Sequence, residues 1–261
     1  MSILGQRIGE LQVIRLIGKG ALARVFLASD GERILAVKVF PESGFSHTQR
    51  ELDLGGGLDH PNLNPILELH ELQQLPALTM PFVKGRRLSE WLAGNPDPIE
   101  FLKLVPDVVD ALAHLAELGI VHRDVKPENL IVGEDGHVTL IDYDIATRVG
   151  TGEPLVRMAG TLAFLSPEQA LGQPVTPASD LYSLGALLYW GACQEVPFSG
   201  EPAAVLASHL KETPRRVSEI RPELAALDGL VAGLLSKRPE ERPGHARVNE
   251  EILGLLRRHG G

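Results

Sequence analysis

The separation of strand-type and helix-type patterns along the chain restricts the fold more than any other feature. Short apolar runs bounded by turn residues, which are typical of β-strands, occupy residues 11–17, 24–28, 34–40, 65–72 and 77–83. Residues 47–58 interrupt these runs with helical character. Segregation of this kind is typical of α+β proteins. It predicts a strand-rich lobe, residues 1–83, followed by a larger helical lobe, residues 84–261, with the crossover near residues 83–85.

Helical spacing dominates the second lobe. It covers residues 88–92, 99–118, 180–189, 203–210, 224–235 and 248–257. Short strand-like runs at 130–132 and 137–141 interrupt these helices, and residues 148–159 are predicted to form a loop. We find no internal repeat, so we expect the chain to form one domain with two lobes.

Composition excludes several functional classes. The net charge of −9 over 261 residues argues against a general nucleic-acid or anionic-membrane binder. No apolar run approaches the ~18 residues of a membrane-spanning helix, and Glu10 and Arg15 interrupt the first apolar residues too early for a signal peptide. The single cysteine, Cys193, cannot form an internal disulfide. We therefore expect a soluble cytoplasmic protein without a membrane segment.

Two features of the first lobe suit phosphate binding without proving it. A glycine-containing turn, Gly18-Lys19-Gly20-Ala21-Leu22-Ala23, connects two predicted strands. Glycines let backbone N–H groups approach a phosphate, although such a hairpin can also be a simple turn. Lys38 lies in an apolar strand, where a buried ammonium group needs a phosphate or carboxylate partner. The alternative is a lysine on an edge strand that points into water.

The second lobe contains the most informative stretch, Val121-His122-Arg123-Asp124-Val125-Lys126-Pro127-Glu128-Asn129-Leu130, followed by Leu140-Ile141-Asp142-Tyr143-Asp144. Its His-Arg-Asp-x-Lys-Pro-Glu-Asn pattern closely resembles that of the eukaryotic-type (Hanks-type) serine/threonine protein kinases, especially the bacterial ones. The resemblance covers roughly residues 11–257. It implies a two-lobed kinase fold that transfers the γ-phosphoryl group of ATP to Ser or Thr hydroxyls of protein substrates, including its own.

The resemblance also assigns the catalytic roles. Asp124 would orient or accept the proton of the attacking hydroxyl, and Lys126 would offset charge on the transferred group. Asn129 and Asp142 would supply oxygen ligands to Mg²⁺, with Mn²⁺ as an alternative. Lys38 would contact the α- and β-phosphates. Its helix partner would be Glu51, since Glu42 is too close to the strand.

ATP-binding residues follow from the same resemblance. Residues Gly18, Lys19, Gly20, Ala21, Leu22 and Ala23 match the phosphate loop, and Ile17, Val25, Ala36 and Ile131 match positions that line the adenine. Met80 matches the residue that gates the back of the pocket. The hinge would offer the carbonyl of Pro81 and the N–H of Val83 to the purine, so the missing N–H of proline is tolerated.

The activation segment and its anchors are matched as well. Thr161 matches a residue that contacts the catalytic loop, and Glu168 matches the partner of Arg242. Asp180 matches an aspartate that anchors the catalytic loop. The usual phosphothreonine stretch carries no hydroxyl here, which leaves two hypotheses: Thr151 is phosphorylated, or Glu153 acts as a permanent substitute.

Three departures from the family pattern stand out. Ala23 replaces the third glycine of the phosphate loop, and Gly55 stands where relatives usually place a larger apolar residue four positions after Glu51. The metal motif reads Asp142-Tyr143-Asp144 instead of Asp-Phe-Gly. We predict either that Asp144 holds Asp142 in its metal-facing placement, with its carboxylate close by, or that it points to solvent or caps the activation segment.

Two functions other than an active protein kinase are compatible with parts of the pattern. A catalytically dead kinase fold would lack at least one of the five residues expected to carry catalysis and metal binding. All five are present: Lys38, Glu51, Asp124, Asn129 and Asp142. A small-molecule phosphotransferase of the antibiotic-kinase type would lack the Ser166-Pro167-Glu168 segment and the aspartate helix that follows it. The sequence therefore favours the active serine/threonine protein kinase.

Overall fold

A computed structural model describes residues 3–20, 22–151 and 162–259. Its strands are β1 Arg7–Ile8, β2 Leu11–Lys19, β3 Arg24–Ser29, β4 Ile34–Val39, β5 Glu68–Leu72, β6 Leu75–Pro81, β7 Gly85–Arg87, β8 Ile120–Val121, β9 Leu130–Gly133, β10 Val138–Leu140 and β11 Thr147–Arg148. Its α-helices are α1 Phe45–Gly55, α2 Leu88–Leu92, α3 Pro98–Glu117, α4 Pro167–Ala170, α5 Pro177–Cys193, α6 Pro202–Lys211, α7 Asp228–Leu234 and α8 His245–His259.

The chain divides into two compact units. Unit 1 comprises Met1–Lys84 together with Asp142–Asp144, and unit 2 comprises Gly85–Ile141 and Ile145–Gly261. The short Asp142-Tyr143-Asp144 segment thus belongs structurally to the strand-rich unit, although 57 residues separate it in sequence from the end of the first stretch. Among the described residues, no helix is long and apolar enough to cross a membrane.

Unit 1 is built on an antiparallel sheet with the strand order β1-β2-β3-β4-β6-β5. Successive side chains of a strand point to opposite faces of the sheet, and burial alternates accordingly along β3. One face buries an apolar core that includes Phe26, Val37, Val39 and Ala77. The other face presents Lys38, because Lys38 is one residue out of phase with Val37 and Val39.

The Lys38 face also contains two of the predicted adenine-lining residues, Val25 and Ala36, and the predicted gating residue Met80. Val25 lies directly opposite Lys38 in the β3–β4 register, and Met80 lies opposite Ala36 in the β4–β6 register. Residues that are directly opposite across antiparallel strands project to the same face, and so do residues two apart on one strand. The register therefore gathers Val25, Ala36, Lys38 and Met80 on one side of the sheet.

Unit 2 is mainly helical. The largest fully buried side chains of its helices include Phe101 and Leu112 of α3 and Tyr182 and Tyr189 of α5, and α8 buries Val248, Ile252 and Leu255. A small antiparallel sheet, with the order β10-β9-β7, carries Ile131 on its central strand. Gly85 allows β7 to approach, because a Cβ at this position would lie 2.2 Å from the carbonyl oxygen of Val132.

The α+β expectation is confirmed, with local differences in the elements. The predicted strand at 65–72 begins only at Glu68, because Pro65 has no N–H to donate and the N–H of Ile66 donates to the carbonyl of Gly55 instead of to a neighbouring strand. The helical pattern at 224–235 is split into a 3₁₀ segment, Pro222–Leu227, and α7. The pattern 180–189 is the centre of a longer helix, α5, which begins with Pro177 after a Thr176 cap. Most of the loop predicted at 148–159 lies outside the described residues.

Candidate active site

The centre of the unit 1 site is the ammonium group of Lys38. Nζ donates to Oε1 of Glu51 at 2.7 Å, to Oδ1 of Asp142 at 2.6 Å and to Oδ1 of Asp144 at 2.6 Å. The Lys38 side chain is only 6% exposed. An edge-strand lysine that points into water is therefore excluded. The sequence prediction that Glu51, rather than Glu42, is the helix partner agrees with these contacts.

Burial and mutual repulsion dominate the electrostatics of this cluster. Burial raises the pKa of Glu51 to about 8, although the neighbouring Lys38 opposes the shift. Burial and the charge of Asp142 also raise the pKa of Asp144. Burial alone would lower the pKa of Lys38, but the three carboxylates outweigh it and raise that pKa well above its usual value. Lys38 is therefore held in its charged form.

Backbone and packing position the two aspartates. Asp142 adopts φ = 75°, a left-handed conformation that few non-glycine residues occupy. The N–H of Asp144 donates to Oδ1 of Asp142 at 3.2 Å. Between them, the Tyr143 ring packs against Gly55, where a Cβ would lie 2.7 Å from Cδ2 of Tyr143. Gly55 thus leaves room for the ring of Tyr143. Two departures from the family pattern, the glycine at position 55 and the tyrosine at position 143, are therefore in direct contact.

The predicted ATP-binding residues of unit 1 lie on or beside the sheet. The phosphate loop joins β2 to β3, and the N–H of Gly20 donates to the carbonyl of Ala23 at 2.9 Å. Ile17 and Gly18, near the end of β2, are half-buried. Lys19 is exposed, and Leu22 is half-buried. Ala21 lies outside the described residues. The binding of ATP by these residues stays a prediction.

The hinge carbonyl already has a protein donor. Nδ2 of Asn64 donates to the carbonyl oxygen of Pro81 at 3.2 Å. A carbonyl oxygen has a second lone pair, so this contact is compatible with the predicted contact to a purine. Val83 is half-buried, two residues beyond the end of β6.

In unit 2, the catalytic loop brings three predicted residues together around the Asp124 carboxylate. Nζ of Lys126 donates to Oδ2 of Asp124 at 2.7 Å, and Nδ2 of Asn129 donates to the same oxygen at 2.8 Å. Nδ2 of Asn129 also donates to the backbone carbonyl of Asp124 at 2.9 Å. Both groups donate to Oδ2. Oδ1 of Asp124 is therefore the oxygen that can accept a further hydrogen bond, for example from a hydroxyl group.

Asp180 and Gln169 hold the backbone of the loop. The N–H groups of His122 and Arg123 donate to the Asp180 carboxylate at 2.7 and 2.8 Å. Nε2 of Gln169 donates to the carbonyl of Arg123 at 2.8 Å, and Arg123 adopts a left-handed φ of 68°. Burial raises the pKa of Asp180 to about 7, against the two N–H bonds that favour its charge. These contacts fix a turn that the backbone would otherwise avoid.

A buried ion pair holds Glu168, which is predicted to lie at the end of the activation segment. Nη1 and Nη2 of Arg242 donate to the two carboxylate oxygens of Glu168 at 2.7 and 2.9 Å. Nη1 of Arg242 also donates to the carbonyl of Ala178 at 2.7 Å. Burial alone would raise the pKa of Glu168, but the hydrogen bonds and charge of Arg242 outweigh it and hold the pKa below its usual value. The pair predicted from the sequence is present.

The activation-segment predictions are only partly within the described residues. Thr151 is half-buried, and its N–H donates to the carbonyl of Arg148 at 3.3 Å. Glu153 and Thr161 lie outside the described residues. Both hypotheses on how this segment is controlled stay predictions.

Each of the two predicted metal ligands, taken separately, has donor chemistry that suits a hard divalent cation. Asp142 offers carboxylate oxygens, and Asn129 offers a single amide oxygen because its nitrogen is used by Asp124. Oxygen atoms are the ligands that Mg²⁺ prefers. Within the described ranges, Asp142 also belongs to a carboxylate cluster with Glu51 and Asp144, whose ligand atoms all lie within 4.8 Å of one another.

The sequence-based prediction missed two contacts of the candidate site, one made by Asp144 and one made by Gln169. The carboxylate of Asp144 binds Lys38 directly and its side chain is only 23% exposed, so the alternative that it points to solvent is wrong. No local pattern predicts that contact, because it depends on a residue 106 positions away. The role of Gln169 had a signal: Ser166 and Gln169 form a capping box, which has the recognisable Ser-x-x-Gln spacing.

Similarity to known proteins defines the class. Residues 11–252 match the family described as the protein kinase domain. The chain belongs to this family, and its fold is the α+β protein kinase fold.

The chain is similar to several curated bacterial serine/threonine protein kinases. It is 35% identical over 227 residues to the serine/threonine-protein kinase PrkC of Bacillus subtilis, covering 81% of this chain and 35% of the relative. It is 34% identical to the DNA damage-responsive serine/threonine-protein kinase RqkA of Deinococcus radiodurans, covering 96% and 40%. Identity to the serine/threonine-protein kinase PknB of Mycolicibacterium smegmatis is 33%, covering 94% and 42%. The chain thus spans less than half the length of these relatives.

Proposed function

We propose that this chain is an active serine/threonine protein kinase, which transfers the γ-phosphoryl group of ATP to Ser or Thr hydroxyls of proteins and of its own chain. The observation that carries the proposal is the arrangement around Asp124. Lys126 and Asn129 fix Oδ2 and leave Oδ1 to a substrate hydroxyl. Family membership and the presence of Lys38, Glu51 and Asp142 in one cluster support it.

In the proposed reaction, Asp124 and Lys126 have different roles. Oδ1 of Asp124 orients the substrate hydroxyl, whose oxygen forms a bond to the γ-phosphorus while the bond to the β,γ-bridging oxygen breaks. The hydroxyl proton passes to Asp124, and ADP leaves. Lys126, held beside Asp124, offsets negative charge on the phosphoryl group in transit.

Nucleotide binding is assigned mainly to unit 1. Lys38, kept charged by its carboxylate neighbours, would pair with phosphate oxygens. Val25, Ala36 and Met80 give the same sheet face an apolar surface for a purine. Asp142 and Asn129 would hold Mg²⁺, which neutralises charge on the β- and γ-phosphates when it is bound. Mg²⁺ rather than Mn²⁺ as the working ion is part of the proposal.

The proposal is tested by incubating the purified chain with ATP and Mg²⁺, alone and with a generic protein substrate such as casein or myelin basic protein. Phosphorylated residues are mapped by mass spectrometry, and we expect phosphoserine and phosphothreonine. Asp124→Asn should lower turnover by about 10²- to 10⁴-fold, since it removes the group that accepts the proton. Nucleotide affinity, measured by titration, should stay within a few-fold because Asp124 acts on the hydroxyl.

A matched control is Asp135→Asn, which makes the same change at an exposed turn of unit 2. It should turn over ATP like the wild type. Equal phosphorylation by Asp124→Asn and by the wild type would refute the assigned role. Phosphorylation by neither the wild type nor Asp135→Asn, with ATP still bound, would instead favour a binding scaffold.

A further inference from the structure

All three N–H donors of the Lys38 ammonium group are already used. An ammonium group carries three such donors, and those of Lys38 reach Oε1 of Glu51 at 2.7 Å and Oδ1 of Asp142 and of Asp144 at 2.6 Å each. The Lys38 side chain is only 6% exposed, so the ammonium group has little room for a fourth partner. A phosphate oxygen can therefore bind Lys38 only by replacing one of the carboxylates.

The number of donors decides how many carboxylates must leave when a nucleotide binds. Under the proposed function, Lys38 contacts the α- and β-phosphates of ATP while Glu51 stays bound to it. One N–H then remains with Glu51, and Asp142 and Asp144 must release the other two. Asp142 is assigned a metal ion as its new partner, whereas Asp144 has only its contact with Lys38 to lose.

Exposure favours the release of Asp144 over that of Glu51. The Asp144 side chain is 23% exposed, so water can solvate its carboxylate after it leaves Lys38, whereas the Glu51 side chain is 3% exposed. Removing the partner of a buried charge is costly, and water offsets that cost only where it can reach the group. The contact of Asp144 is still an obstacle, because hydrogen bonds between charged groups are about twice as strong as neutral ones.

We propose that Asp144 competes with the phosphate groups of ATP and ADP for Lys38 and thereby lowers the affinity of the chain for these nucleotides. The competition rests on the proposed function, which assigns the phosphates to Lys38. Glycine, the usual family residue at this position, has no side chain that could compete. A protein whose binding-competent state makes up about a tenth of its population binds about tenfold more weakly. A contact between Asp144 and Lys38 that is formed most of the time has an effect of this order.

The test compares a ligand that has phosphates with one that has none. ADP and adenosine are titrated into the purified chain by isothermal titration calorimetry, with a chelator present so that metal binding by Asp142 plays no part. Asp144→Ala removes the competing carboxylate and should bind ADP about tenfold more tightly than the wild type. The affinity for adenosine should stay the same, because adenosine has no phosphate for Lys38.

Three further variants separate competition at Lys38 from other effects. Asp144→Asn keeps the shape of the side chain and an uncharged oxygen for Lys38, so it should show a smaller gain even if Asp144→Ala folds poorly. Asp53→Ala removes an exposed carboxylate of α1 in the same unit and should bind ADP like the wild type. Lys38→Met removes the group for which the two ligands compete, so adding Asp144→Ala to it should give a much smaller gain.

Three results would overturn the proposal. The first is ADP binding by Asp144→Ala and Asp144→Asn that is equal to that of the wild type or weaker. The second is an equal gain for adenosine, and the third is an undiminished gain in the Lys38→Met background, which would indicate general charge repulsion.

The titration involves no phosphotransfer, so the competition and the proposed function can fail separately. Kinase activity with equal ADP affinities in the wild type and Asp144→Ala would refute the competition alone. An inactive chain that shows the expected affinities would refute the proposed function alone. If no form of the chain binds ADP, both fail.

Discussion

Two buried glutamates, one in each unit, are paired with a basic residue in opposite ways. Glu168 in unit 2 gives both oxygens to Arg242 in a two-pronged contact, and its pKa is held below the usual value. Glu51 in unit 1 gives one oxygen to Lys38, which two aspartates share, and burial raises its pKa to about 8. The first pair is complete, whereas in the second three carboxylates share one ammonium group.

Under the proposed function, the Glu168–Arg242 pair is structural and the Lys38–Glu51 pair belongs to the nucleotide-binding site. The guanidinium fork of Arg242 matches a carboxylate and also binds backbone carbonyls, so it fixes the chain without any ligand. The ammonium group of Lys38 is a compact point charge that can exchange one partner for another. A site that must accept phosphate and metal needs such exchangeable contacts, and a brace does not.

The largest effect on stability is expected from Glu168→Gln, which breaks the complete pair. The change leaves the buried charge of Arg242 without its counter-charge, and such losses cost about 3 kcal/mol or more. Urea unfolding, monitored by circular dichroism, should show a clearly lower free energy of unfolding.

Glu251→Gln is the matched control for this experiment. Glu251 pairs with Arg247 on the surface of α8 at 2.8 Å, with both side chains partly exposed. Exposed pairs of this kind contribute about 0.5 kcal/mol. Equal losses in the two variants would show that the Glu168–Arg242 pair is not the brace that its geometry indicates.

The sequence predicted which residues form the two ion pairs but not how the pairs differ. The partners Lys38–Glu51 and Glu168–Arg242 followed from matched family positions, because the chain keeps those residue types at the usual spacing. The sharing of Lys38 by Asp144 did not follow, since no relative pattern places a carboxylate there. Periodicity located the longer strands and helices to within a few residues but missed the short strands β1, β7, β8 and β11. Cross-strand register and the Tyr143–Gly55 contact depend on tertiary packing.

An intermediate effect on stability is expected from Gly55→Ala, which tests the packing beside the unit 1 cluster. The new methyl group would lie 2.7 Å from Cδ2 of Tyr143 and 2.9 Å from Cδ1 of Ile66. Overpacking of this kind costs about 1–3 kcal/mol, and the better helix propensity of alanine offsets up to about 1 kcal/mol. We expect a net loss of about 1–2 kcal/mol in urea unfolding.

Gly254→Ala is the matched control for the packing experiment. Gly254 lies inside α8, and a Cβ there would meet nothing closer than 3.9 Å. The control should therefore gain up to about 1 kcal/mol from helix propensity alone. A gain in both variants would show that the Tyr143 ring moves freely and that Gly55 is not required to hold it.

The smallest effect is expected from Glu51→Gln, which makes in unit 1 the same change that Glu168→Gln makes in unit 2. The introduced amide would keep a carbonyl oxygen for Nζ of Lys38, and Asp142 and Asp144 would still pair with that ammonium group. Burial raises the pKa of Glu51, which means that its negative charge is costly at this position, and a neutral amide removes that cost. We therefore expect the free energy of unfolding, measured in urea with a metal chelator present, to change by less than about 1 kcal/mol. A loss as large as that of Glu168→Gln would mean that Glu51 carries its full charge in a complete ion pair, and the contrast between the two units would disappear.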